Sequence, residues 1–177
     1  IDREIVHARQ GQPARIIAKR NSLVDPEMIR LLYEASQAGV EIQLIIRGIC
    51  CLKPGIPGVS DRIQVVSIIG RFLEHARIFA FYNDGDEEYY IGSADWMNRN
   101  LDRRVEAVTP VEDPTLVEEL RVILDIMLTD NRQAWDLHAD GTYVQRRPEP
   151  DEPERNTHDL LMELAHKRDL SPIDSLI

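Results

Sequence analysis

The chain has 177 residues, 43% of them hydrophobic, which suits one domain with a real core better than two small ones. Its formal net charge of −10 argues against a general nucleic-acid binder, whose groove needs a basic face. The charge is uneven: residues 1–110 carry 14 basic and 15 acidic side chains, net −1, whereas residues 111–177 carry 7 and 16, net −9. Positive potential is therefore available locally in the first part, while the second keeps the protein soluble. No apolar run approaches the roughly 20 residues needed to span a bilayer, and the start shows no signal-peptide pattern, so no transmembrane segment is expected. The cysteines, Cys50 and Cys51, are adjacent. A bridge between neighbours strains the intervening peptide, so a reducing, cytoplasmic compartment is expected. Neither has His or Cys partners at zinc spacing, and the pair reads as packing under a loop. The chain opens on Ile1 in mid-pattern, as a piece of a longer protein would.

In chain order, residues 1–10 read as a helix end stopped by Gly11, and residues 14–19 as a β-run. Asp25-Pro26 is a helix start with an Asp cap and Pro in the first turn; the 3.6 period of Met28, Ile29, Leu32 and Ala35 runs to Gly39. Residues 40–46 form a second β-run, and the strand–helix–strand order implies a parallel pair. A Pro- and Gly-rich loop covers 48–58. Further β-runs fall at 63–69, 77–82, 88–91 and 104–111, with Asp84-Gly85 as a hairpin signal. Asp113-Pro114 starts an amphipathic helix to Leu128. Residues 133–147 read as irregular or as a short hairpin around Asp140-Gly141. Residues 148–155 read as a charged, Pro-rich linker, and 158–168 as a terminal helix docking outside this chain.

The chemistry concentrates between Arg71 and Arg104. His75 sits at the mouth of a β-run, and Arg71, Arg77, Arg99, Arg103 and Arg104 crowd around it in sequence. Guanidinium forks with one imidazole suit a phosphate site. Arg47 ends a predicted parallel strand, the edge at which open α/β sheets bind ligands, and Gly48 would let a phosphate approach the backbone. Arg104 and Glu106 share one face of a predicted strand, either as a structural ion pair or with the Glu holding the Arg fork for phosphate. Gly92-Ser93 reads equally as a plain turn or as a source of donors. His7, His138, His158 and His166 read as solvated.

The strings K-R-N-S-L-V-D-P-E-M-I, L-I-I-R-G-I-C-C-L-K-P-G, G-R-F-L-E-H-A-R-I-F and I-G-S-A-D-W-M-N-R-N-L-D-R-R-V-E occur in this order. They closely resemble the C-terminal catalytic domain of the large, multi-domain bacterial polyphosphate kinases, over about residues 1–147, with 148–177 as linker and terminal helix. The resemblance implies an α/β fold: a phospholipase D-like mixed sheet flanked by helices. It also implies reversible transfer of the ATP terminal phosphate to polyphosphate through a phosphohistidine in a preceding domain that this chain lacks. ATP and Mg²⁺ are the implied cofactors, with the magnesium ligands in that other domain. Implied partners are ATP or ADP, inorganic polyphosphate, the preceding domains and a homo-oligomer. The nucleotide-contacting arginine of R-G-x-C-C falls on Arg47. The site histidine of F-L-E-H-x-R-I falls on His75, implied to be catalytic and, with Arg47, to contact the nucleotide triphosphate or the phosphoryl group in flight, either donating to a phosphoryl oxygen, the favoured role, or serving as a second phosphoacceptor. R-R-V-E places a site arginine on Arg104 and a carboxylate on Glu106. All are expected to gather in one cleft. The wider phospholipase D pattern has His-x-Lys, a following Asp, and Gly-Ser-x-Asn; here Arg77, Tyr82 and Asp95 stand at the Lys, Asp and Asn positions. That opposes a phosphodiesterase or nuclease. A non-catalytic oligomerisation domain is the remaining alternative.

Overall fold

The structure, a computed structural model, describes residues 1–169, and residues 170–177 of the expected tail lie outside the described residues. Its elements run α1 (Asp2–Arg9), β1 (Arg15–Arg20), α2 (Pro26–Ala38), β2 (Glu41–Ile46), β3 (Ile63–Ile68), β4 (Ile78–Phe81), β5 (Glu88–Gly92), α3 (Asn98–Arg103), β6 (Val108–Val111), α4 (Pro114–Leu128), β7 (Ala134–Leu137), β8 (Tyr143–Gln145) and α5 (Thr157–Asp169). The strands form one mixed sheet in the order β6-β5-β4-β1-β2-β3-β7-β8. β1, β2 and β3 are parallel, and every other neighbouring pair is antiparallel.

The two Asp-Pro starts act as read. Asp25 accepts from the Met28 amide at 2.8 Å, and Asp113 from the Thr115 and Leu116 amides at 2.8 and 3.1 Å. Each occupies backbone donors that a helix start leaves unpaired, a contribution of about 1 kcal/mol. The central strands are covered on both faces. Ile16, Ala18, Leu44 and Val65 pack with Leu32 and Ala35 of α2 in one layer. Ile17, Ile45, Val66 and Ile78 pack with Leu124 and Met127 of α4 in the other, where α5 adds Leu161. The period-2 alternation of β1 therefore sends Arg20 toward the α2 layer and Lys19 toward the α4 layer.

Two expectations are corrected. Residues 104–107 lie outside the sheet: α3 occupies 98–103, Arg104 ends it in extended backbone, and β6 begins only at Val108. Met97 caps α3 without a side-chain bond, so this short helix carries no capping signal in its sequence. The terminal helix packs on α4, where Leu161 joins the core layer. His158, read as solvated, is 3% exposed. Residues 133–147 resolve as the β7–β8 hairpin. The 148–155 segment is largely exposed and is tied down at its end, where Asn131 bonds the Pro153 carbonyl and the Arg155 amide.

Candidate functional site

Strand direction collects the chemistry on one edge of the sheet. β1 and β2 end in Arg20 and Ile46, so Asn21 and Arg47 emerge side by side. β4 runs antiparallel to β1, and its first residue, Ile78, pairs with Lys19. The chain leaves β3 and re-enters at β4 on the far side of β2 and β1, so residues 69–77 pass over the ends of those two strands. β5 ends and β6 begins on the same edge, with Gly92 opposite Val108, which delivers Ser93, Asp95 and Glu106 there.

A chain of hydrogen bonds joins these residues. Arg47 donates from Nε to Asn21 Oδ1 at 3.1 Å, and the Asn21 amide donates to Asp95 Oδ1 at 2.8 Å. Asp95 Oδ2 accepts from Arg77 Nη2 at 2.8 Å. The Arg77 fork in turn lies 3.3 and 3.4 Å from the ring nitrogens of His75 and donates to the His75 carbonyl at 3.2 Å. Burial pushes the Asp95 carboxyl upward, but the Arg77 fork and the Asn21 bonds outweigh it and hold it below the usual carboxylate range. His75 itself is exposed.

Gly48 has a role other than the expected one. A Cβ there would lie 2.8 Å from the Asn21 carbonyl oxygen, to which the Gly48 amide donates at 2.7 Å. The close approach is to protein backbone, and it fixes Arg47 beside Asn21.

Lys19 and Arg20 are buried cations beneath this edge that sequence reading did not single out. Lys19 pairs with Glu74 at 2.7 Å and donates to the Ala76 carbonyl at 3.2 Å, so it grips both neighbours of His75. Its pKa is lowered, chiefly by burial, against the pull of Glu74. The Arg20 guanidinium lies over the Phe79 ring at 3.0 Å and near Trp96 at 4.8 Å. Burial pushes it down to about 9, which leaves it cationic at neutral pH. A signal was available: two successive cations end an otherwise apolar run that reads as a doubly covered strand, and such charges need partners.

Glu106 accepts from Ser93 Oγ and from Asn100 Nδ2, the latter at 2.6 Å. These two bonds hold its pKa down. It therefore ties α3 to the start of β6 and makes no hydrogen bond to Arg104. The Arg104 side chain is exposed, and among the described residues its recorded interaction is electrostatic, with Glu106. The clefts along this edge divide the expected residues among them. His75 and Arg77 border a mainly apolar cleft of about 540 Å³ floored by Ile78, Ile91, Ile123 and Met127. Arg47 borders another, of about 260 Å³, with Trp135 and Tyr143. Arg104 borders neither. Cys50 and Cys51 are free thiols, and burial pushes Cys50 up to about 11.

A mixed sheet with this edge defines a phospholipase D-like domain. A phospholipase D family member, Nuc from Salmonella typhimurium, superposes with a TM-score of 0.54 at 16% identity, over 76% of this chain and 88% of that one, which shows the fold. Polyphosphate kinase from Porphyromonas gingivalis superposes with a TM-score of 0.91 at 40% identity, over 97% of this chain and 26% of that one. The family model "Polyphosphate kinase C-terminal domain 2" matches residues 1–157, and the chain belongs to that family. It is 71% identical over 162 residues to a polyphosphate kinase of Thermosynechococcus vestitus and 58% identical over 163 residues to one of Pseudomonas aeruginosa. Each match covers 92% of this chain but only 22% and 24% of those proteins. The chain thus spans about a quarter or less of these relatives.

Proposed function

We propose that this domain supplies the nucleotide- and phosphate-binding edge of an ATP:polyphosphate phosphotransferase, a cytoplasmic enzyme whose phosphoacceptor histidine lies in a preceding domain. The observation that carries the reading is the bonded series Arg47–Asn21–Asp95–Arg77–His75, which fixes an arginine and an exposed imidazole on one edge of a phosphotransferase-family domain. Arg47 meets the triphosphate of ATP, and His75 donates a hydrogen bond to an oxygen of the phosphoryl group in flight. Arg104, exposed and, among the described residues, without a hydrogen bond, neutralises the polyphosphate chain, and Glu106 fixes the turn that presents it. Transfer of this kind depends mostly on positioning and charge neutralisation around the equatorial oxygens, which these groups offer.

Arg47, His75 and Arg104 lie along an edge instead of inside one cavity, which fits a site completed by a second domain placed against it. Mg²⁺ would offset the phosphate charge when bound. Among the described residues no group of three or more His, Cys, Asp or Glu side chains is placed to hold a metal ion, so no step here passes through one. Phosphodiesterase chemistry is disfavoured because Arg77, at the expected lysine position, is already paired with Asp95. Among the described residues no helix is long and apolar enough to cross a membrane.

The test is incorporation of label from terminally radiolabelled ATP into acid-insoluble polymer by the full-length enzyme and its Arg47→Ala, His75→Ala and Arg104→Ala variants. Loss in all three, with unchanged thermal unfolding, is expected. Wild-type rates in all three would overturn the reading.

A further inference from the structure

Residues 70–76, which carry His75, form no backbone–backbone hydrogen bond among the described residues: the ladder stops at the Ile69 amide and resumes at the Arg77 carbonyl. Their path is therefore set by side chains from elsewhere. Lys19 holds Glu74 and Ala76 from the sheet. The other grip comes from α5. We infer that α5 is a positioning element for His75 and acts through His158, an inference that rests on the role given to His75 above.

His158 is 3% exposed. Its Nδ1 accepts from the Phe72 amide at 3.3 Å, and its ring meets the Phe72 ring edge-on at 5.6 Å. It also fills the space beside Gly70, where a Cβ would lie 2.5 Å from Nδ1. Arg71 reaches the Met162 sulfur at 3.9 Å. Three successive residues, 70 to 72, are thus seated on the first turns of one helix.

The seat is itself fixed. Asp130 Oδ2 accepts the Thr157 amide at 2.7 Å, while its Oδ1 accepts the amides of Arg132, Gln133 and Ala134. Between the two grips only Leu73, 70% exposed, intervenes before Glu74 and His75. Phe72 and Leu73 have too little burial of their own to hold the loop, so loss of the His158 contact frees the segment that aims His75. His158 stands one residue beyond the 1–157 match, so the family motifs do not assign it.

The experiment uses the full-length enzyme with His158→Ala, His158→Asn, Gly70→Ala and, as reference, His75→Ala. Asn places an oxygen acceptor near the former Nδ1. Gly70→Ala drives a methyl into the same ring without removing it, so a test remains if His158→Ala does not fold. The readouts are kcat, KM for ATP, and hydrogen exchange of the peptide spanning 70–77. Displacement of a transfer group by about 1 Å costs on the order of a hundredfold, so His158→Ala and Gly70→Ala should each lower kcat by about tenfold or more. Both should speed exchange in that peptide and leave KM for ATP within about threefold of wild type, and His158→Asn should recover much of the turnover lost in His158→Ala. If His75→Ala is impaired while His158→Ala and Gly70→Ala turn over normally, the inference is wrong and the site reading stands. The inference also fails if Asn and Ala are equally impaired with exchange raised throughout the domain. Normal turnover by His75→Ala would instead remove the site reading on which the inference rests.

Discussion

Arg77 and Asp95 meet at 2.8 Å with their side chains only 12% and 9% exposed. They stand where the phospholipase D pattern places lysine and asparagine, two groups that would face a phosphate. Here they face each other, and Asp95 also takes the Asn21 amide. The pair links the segment that carries His75 to the turn after β1.

Removing one partner of such a pair leaves a buried charge uncompensated. Asp95→Ala should therefore destabilise the domain by about 3–5 kcal/mol, and Asp95→Asn, which keeps the shape and an acceptor, by less. Urea unfolding of the full-length enzyme, followed by a probe in this domain, measures the difference.

Acid should act on this domain through Asp95 and Asp130, whose carboxyls are both held below their ordinary value of 3.8 by hydrogen bonds that outweigh burial. A depressed folded-state pKa contributes stability that is full above the unfolded value and lost as pH falls through the folded one. Unfolding free energy should thus be flat in this respect above 3.8 and fall below it. In Asp130→Asn the domain should be less stable at neutral pH and show a shallower acid limb.

Lys19→Met keeps an apolar stem and removes the grip on Glu74 and Ala76. Stability should fall, because Glu74 is left without its partner, but by less than in Asp95→Ala, since the Glu74 side chain is 23% exposed and can rehydrate. Turnover should fall, because both neighbours of His75 are released. Kinetics and thermal unfolding of the same variant separate the two effects.

Arg47→Ala should raise the apparent requirement for ATP. A charge-assisted phosphate contact is worth about 1.5–3 kcal/mol, so KM for ATP should rise by roughly ten- to a hundredfold. Titration of ATP at saturating polyphosphate checks it.

Much of the scaffold was legible because local chemistry decided it. Asp25 and Asp113 cap their helices as their Asp-Pro pairs imply, and the apolar run ending at Ile46 is the buried parallel strand that its composition predicts. α3 escaped notice because it is six residues long and has no side-chain cap. Arg47 was visible from its place at the end of a predicted parallel strand and His75 from the arginines around it, and their motifs sharpened both. What joins them was not, since the link runs through Asn21, Asp95 and Arg77, residues far apart in sequence that only strand order brings together. The burial of His158 was hidden for the same reason, because it depends on Gly70 and Phe72, whose distance in sequence conceals their contact.

The central claim is that His75 acts on the phosphoryl group in flight. Its most direct test is single-turnover transfer from terminally radiolabelled ATP by the full-length enzyme and its His75→Ala variant, read as phosphohistidine and as acid-insoluble polymer. The variant should fold, and both products should form far more slowly than in wild type. Wild-type rates for both products would contradict it.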